Sequence, residues 1–270
     1  KLIRDERIKA VSFVGSTPVA KNIYETSAIS GKRCQALGGA KNHALILPDA
    51  DIDYTTDQLI SAAFGSSGQR CMALSVAVVF SDIKDEFIKD LEKKVQKLKF
   101  GLDDLNSNSF GPLVSKEHLE SVKNYINMSE EEGAKVLVDG RDLLKRKNSN
   151  NGYFLGPTII DNVSSNMRSY QNEIFGPVLQ IIEVNKLSDA IKIINDNRFG
   201  NGCCIFTRSG EQARSFSENV EIGMVGVNIP LPVPSSFHSF GGWKNSLFGD
   251  LNIYGPDGVR FYTQRKTITQ

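Results

Sequence analysis

The chain has 270 residues, is 40% hydrophobic and 23% charged, and carries a net charge of +1, a composition that supports the buried core of one large or two moderate domains. So balanced a charge offers no basic field for nucleic acid or anionic membrane, and no apolar run reaches the roughly 18 residues that a spanning helix needs. Cys34, Cys71, Cys203 and Cys204 form neither a CxxC pair nor a disulfide framework, so no metal site is expected and a reducing compartment is.

Lys1 is followed closely by the strand-like run Val11–Val14. Nothing there reads as a signal or transit peptide, and so abrupt a start is expected of a sequence beginning inside a longer protein. Gly15-Ser16-Thr17-Pro18 then opens a helix, with a hydroxyl cap and proline in its first turn. The helix is predicted through about Ala28, ahead of Gly31. Short strands follow at Cys34–Leu37 and Ala44–Leu47, and Asp51 and Asp53 cap a helix through about Phe64. A Val-rich strand at Ser75–Phe80 precedes an amphipathic helix at Asp85–Leu98, whose Phe87, Leu91, Val95 and Leu98 form one stripe. Next come a helix at Lys116–Glu132, a strand at Lys135–Val138 and a polar, Asn-rich surface loop at Lys145–Gly152. Strands at Thr158–Ile160 and Val178–Val184, a helix at Ser188–Asn195, a strand at Cys203–Thr207, a helix at Glu211–Glu218 and a strand at Met224–Val227 complete the series. The tail, Gly258–Thr269, alternates like a strand. Strands and helices in this alternation imply an α/β fold with parallel sheets.

Cys71 follows the glycine-rich Gly65-Ser66-Ser67-Gly68-Gln69-Arg70, between a helix and a strand. A thiol placed there is open to close approach by a substrate, although a buried small hydrophobe is the commoner fate of a free cysteine. The preceding helix C-terminus disfavours a thiolate, whereas Arg70 favours one. Gly15 permits close backbone approach, and Ser16 at a helix N-terminus can meet a phosphate with N–H groups and a hydroxyl; read alone, the pair is as readily a plain helix cap. Glu173, ahead of Ile174-Phe175-Gly176-Pro177, would by itself read as a solvated carboxylate.

Several segments match a known pattern. Gly68-Gln69-Arg70-Cys71 resembles the nucleophile motif of the aldehyde dehydrogenase family. Met72-Ala73-Leu74 and Gly39-Ala40-Lys41-Asn42-His43 are similar to its CoA-acylating methylmalonate-semialdehyde branch. Phe13-Val14-Gly15-Ser16 resembles the family's phosphate-binding turn, Glu173-Ile174-Phe175-Gly176-Pro177-Val178 its nicotinamide-ribose motif, and Lys266-Thr267-Ile268-Thr269 the branch's C-terminal end. The likeness spans essentially the whole chain, with the motifs in family order.

That resemblance implies an aldehyde dehydrogenase-like α/β fold. Residues 1–38 would form a partial Rossmann-like NAD-binding domain, residues 39–242 a parallel-sheet catalytic domain, and residues 243–270 a C-terminal segment with an oligomerisation strand. Cys71 would be the catalytic nucleophile, with Gly15, Ser16, Gly38, Glu173 and Phe175 binding NAD and Arg70 binding a substrate carboxylate. Attack of Cys71 on the aldehyde would give a thiohemiacetal, then a thioester after hydride transfer. Hydrolytic relatives carry a glutamate at the position of Leu37 to activate water. Leucine cannot take a proton, which fits release of the acyl group by the thiol of coenzyme A, since a thiol has a pKa of about 8.5 and a strongly nucleophilic thiolate and so needs less help than water. The implied reaction is oxidation of methylmalonate or malonate semialdehyde, with NAD and coenzyme A, to propionyl-CoA or acetyl-CoA with release of the carboxyl carbon. A hydrolytic aldehyde dehydrogenase, a cysteine hydrolase pairing Cys71 with His43 or His238, and a fragment that only folds or associates are the alternatives. The full-length protein is expected to be a homodimer or homotetramer acting on small molecules, in the mitochondrial matrix of a eukaryote or the cytoplasm of a bacterium. Alone, the 270 residues are expected to show little activity.

Overall fold

Alternating apolar residues place the centre of the molecule. In β4 (Leu74–Phe80), Val76 and Val78 face one core while Ala77 and Val79 face another, as the two-residue period of a strand requires. A strand buried on both faces belongs inside a helix-covered parallel sheet. The computed structural model describes residues 1–99, 111–141 and 152–270, and the expected loop at Lys145–Gly152 lies outside these apart from Gly152.

Four strands and three helices occupy the first part of the chain: β1 (Ala10–Val14), α1 (Thr17–Ile29), β2 (Arg33–Leu37), β3 (Asn42–Ile46), α2 (Ile52–Phe64), β4 and α3 (Ser81–Val95). Then follow α4 (Lys116–Glu131), β5 (Lys135–Val138), β6 (Thr158–Asp161), the one-turn α5 (Arg168–Gln171), β7 (Val178–Val184), α6 (Leu187–Asp196), β8 (Phe199–Gly200), β9 (Gly202–Phe206), α7 (Gly210–Asn219), β10 (Met224–Val227), β11 (Trp243–Lys244), β12 (Leu247–Phe248) and α8 (Gly255–Tyr262). Caps set the helix starts. Asp51 accepts from Tyr54 N at 3.1 Å, and Ser115 from His118 N at 3.1 Å, each satisfying a donor that the first turn leaves over.

A seven-stranded sheet in the order β10-β9-β3-β4-β7-β6-β5 is parallel throughout except at its β5–β6 edge. Helices α2 and α3 cover one face through Leu59, Phe64, Phe87 and Leu91; α4, α6 and α7 cover the other through Val122, Ile126, Ile194 and Phe216. Adjacent Cys203 and Cys204 fall on opposite faces and are both buried, so they are core residues, as expected. A smaller sheet pairs β1 with β2 in parallel and adds β12 antiparallel on the far side of β2. The first and last parts of the chain therefore share a sheet. No helix among the described residues is long and apolar enough to cross a membrane.

One expectation fails in the tail. Residues 258–262, predicted as strand, belong to helix α8, and residues 263–270 are exposed and join no strand. Pro256 in the first turn presets helical φ. Phe261 is buried within this helix, whereas a strand would need a neighbouring edge to satisfy its backbone groups. Arg33 ties the helix end down, donating from Nη1 to Thr263 O at 2.7 Å.

Candidate active site

Helix α2 ends at Phe64, and the chain then makes an unusual turn. Ser66, Ser67 and Gly68 have φ of 52°, 55° and 69°, three successive left-handed residues of which only glycine adopts that conformation without strain. Contacts hold the turn in place. Ser67 Oγ donates to Gly111 O at 2.5 Å, and Gly68 packs so closely that a Cβ there would lie 2.1 Å from Gly176 O. The turn delivers Cys71 to the surface just before β4.

Around the sulfur the electrostatics are mixed. Burial pushes the Cys71 thiol above its ordinary value, while the backbone N–H groups of Cys71 and Met72 hydrogen-bond to it and pull the other way. The Cys71 carbonyl is held by two amides, accepting from Asn42 Nδ2 and from Asn201 Nδ2, each at 2.9 Å. Arg70 turns its guanidinium toward the end of α2, donating from Nε to Gly65 O at 3.1 Å and from Nη2 to Ser61 O at 3.2 Å. It thus neutralises a helix C-terminus, a role the sequence did not reveal. Its Nη1 makes no hydrogen bond among the described residues, and it shares a small hollow with Cys71 and Glu173.

The fold brings the remaining expected residues together. Gly15, Ser16, Gly38, Cys71, Glu173 and Phe175 all line one cleft of about 390 Å³. Ser16 caps α1 without a side-chain bond to the helix, leaving its hydroxyl beside the first-turn N–H groups. Gly15 N, by contrast, is already spent on Leu37 O at 3.1 Å, so the glycine contributes closeness rather than a donor. Glu173 Oε1 accepts from Ala40 N at 2.9 Å; burial raises its pKa, opposed by that N–H and by Lys41 and His118. Phe175 has φ of 57° and is 38% exposed, with its carbonyl accepting from His118 Nε2 at 2.7 Å.

Other residues of the site escaped the sequence reading. His118, Ser121 and Tyr125 line the cleft from α4, and their helical spacing of roughly one turn is the only prior signal. Lys41 is buried and donates to Ser169 O at 2.7 Å and Asn172 O at 3.0 Å, bracing the segment that carries Glu173. Leu37 is buried against Met72, Met224 and Phe240, so that position presents no carboxylate to the sulfur. His43 is fully buried, with Nε2 3.0 Å from the Tyr170 hydroxyl, and neither it nor His238 lines the cleft. Neither of the two histidines expected for a cysteine hydrolase therefore shares the cleft with Cys71, and His118, which does, has its Nε2 engaged with the Phe175 carbonyl.

A cysteine at a strained turn thus shares one cleft with a helix N-terminus, a carboxylate and an aromatic ring, the kind of concave, partly polar site that suits a small ligand. The sequence matches the aldehyde dehydrogenase family over residues 1–268, and the chain belongs to that family. It is 52% identical over 270 residues to the malonate-semialdehyde dehydrogenase of Pseudomonas aeruginosa, covering all of this chain and 54% of that protein. The crystal structure of the methylmalonate-semialdehyde dehydrogenase DddC from Oceanimonas doudoroffii superposes with a TM-score of 0.97 at 58% identity, covering 100% of this chain and 55% of that one. A Sinorhizobium meliloti 1021 protein assigned as a methylmalonate-semialdehyde dehydrogenase, solved complexed with NAD, gives 0.96 at 46% identity over 98% of this chain and 54% of its own. The chain spans about half the length of the curated relatives it matches.

Proposed function

We propose that the full-length protein oxidises malonate or methylmalonate semialdehyde with NAD and passes the acyl group to coenzyme A. The observation that carries this reading is the shared cleft, in which Cys71 faces Glu173, Phe175 and the α1 N-terminus. These residues fit NAD. The α1 N-terminus and Ser16 suit a pyrophosphate, Glu173 has a second carboxylate oxygen with no hydrogen bond among the described residues and suits ribose hydroxyls, and Phe175 offers a flat apolar surface. When bound, NAD supplies the acceptor for the hydride.

The chain's own residues do the rest. Cys71 Sγ attacks the aldehyde carbon, and the Cys71 N–H beside the sulfur follows the charge to the substrate oxygen. Arg70 Nη1 is the guanidinium edge open to the substrate carboxylate. After oxidation Cys71 holds a thioester, and the substrate carboxylate leaves as carbon dioxide, so that a propionyl or acetyl group passes to coenzyme A. Leu37, buried and apolar, cannot activate water there, and a thiol needs no such base. The exposed tail of residues 263–270 is then the segment that pairs with another copy in a homodimer or homotetramer.

The test is NADH formation by full-length protein given each semialdehyde, with and without coenzyme A. Turnover that depends on coenzyme A is expected, with propionyl-CoA or acetyl-CoA as product. Equal turnover without it, yielding free acid, would remove the acylating reaction in favour of hydrolysis.

A further inference from the structure

We propose that Asn42 and Asn201 are positioning residues for the nucleophile: their amides clamp the Cys71 carbonyl and so aim the Met72 N–H at the Cys71 sulfur. The Cys71 carbonyl and the Met72 N–H belong to one peptide unit, which is planar and trans. The two groups point in opposite directions, and fixing one fixes the other. Two donors at 2.9 Å hold the oxygen, more than an ordinary loop carbonyl receives.

The clamp is itself anchored. Asn42 gives a second bond to Ala73 O at 2.9 Å and accepts from Gly202 N at 3.0 Å through Oδ1. Asn201 also reaches Met72 Sδ at 3.0 Å. Asn42 begins β3, and Asn201 immediately precedes β9, which pairs with it in parallel, so the central sheet supports both amides. Gly202 leaves room for the Met72 side chain, since a Cβ there would lie 2.6 Å from Met72 Cε. The peptide after the nucleophile is therefore gripped at its oxygen and at the side chain that follows. The consequence falls on the thiol. Burial raises its pKa and the Met72 N–H opposes burial; loss of the clamp frees that N–H to turn away.

This inference rests on Cys71 being the nucleophile, but its readout needs no semialdehyde. In full-length protein, the rate at which iodoacetamide modifies Cys71 is followed against pH by peptide mass spectrometry, because only the thiolate reacts. Asn201→Ala and Asn42→Ala, shown to be folded by circular dichroism, are expected to move the midpoint up by about one pH unit, which lowers the rate at neutral pH about tenfold. Asn201→Asp keeps the shape but replaces the donor with a carboxylate, and is expected to move it further. An unchanged midpoint in folded variants, including a rate lowered equally at every pH, overturns the proposal and leaves the two asparagines as packing residues. Should Asn42→Ala fail to fold for want of the Gly202 tie, the Asn201 variants decide alone. A shifted midpoint in a protein that oxidises no semialdehyde would uphold the clamp and remove the substrate reading instead.

Discussion

Two basic side chains beside the cleft hold the backbone around it, and single substitutions show what each contributes. Arg70 neutralises the carbonyls of Ser61 and Gly65 at the end of α2 and also lines the hollow that holds Cys71, with its Nη1 making no hydrogen bond among the described residues. Arg70→Met is expected to lower stability by about 1–2 kcal/mol, read from urea midpoints. It should also raise KM about tenfold for a semialdehyde bearing a carboxylate, but not for propanal, which has none. An equal rise for both aldehydes would reduce Arg70 to a helix cap. Lys41 gives a second case. Burial lowers its pKa from 10.5 to about 7, with the Glu173 carboxylate opposing. Between those values the unfolded chain holds a proton that the folded chain has released, so folding becomes more favourable as pH rises through that window. The urea midpoint of the full-length protein should accordingly climb between about pH 7 and pH 10 relative to a Lys41→Met variant. A parallel pH dependence in the two proteins would mean that Lys41 keeps its proton in the fold.

At the scale of elements, the site depends on the contact between the nucleophile turn and the segment leading into β7. Gly68 has φ of 69°, and a Cβ there would lie 2.1 Å from Gly176 O. Gly68→Ala therefore combines backbone strain with a clash against backbone, and about 2 kcal/mol or more of destabilisation is expected. Because Gly176 follows Phe175, the damage should reach the cofactor side too, raising KM for NAD and slowing Cys71 alkylation; a change confined to either one would show the two segments to be independent. Such a contact is not legible along the chain, although its participants are. Apolar runs and caps revealed every long strand and helix of the seven-stranded sheet, since burial on both faces and satisfaction of helix ends act locally. The two-residue strands β8, β11 and β12 escaped because pairing partners distant in sequence create them. The tail was misread because Val259 and Phe261 alternate like a strand over a stretch too short to distinguish a period of two from 3.6. In the site, motif residues were found singly. The convergence of Asn42 and Asn201 on one carbonyl arises from the pairing of β3 with β9, and nothing local to Asn201 announces it.

For the molecule as a whole, the two larger sheets are unequally complete. The seven-stranded sheet has helices on both faces, whereas the small sheet ends at β1, which is hydrogen-bonded on one side only among the described residues and leaves Val14 60% exposed. Val14, Gly15 and Ser16 line one side of the cleft, so the least supported strand leads directly into the two residues proposed to meet phosphate. An open edge of this kind invites pairing with another chain, and a cleft wall free to move loses affinity through the ordering that binding then requires. The 270-residue chain produced alone should consequently bind NAD at least about a hundredfold more weakly than full-length protein, by calorimetry. It should also self-associate through β1, an association that a Ser12→Pro substitution, which removes a backbone donor from the strand, would reduce. NAD affinity equal to that of the full-length protein would show that the cleft is complete within these residues, and that the open edge of β1 has no bearing on binding.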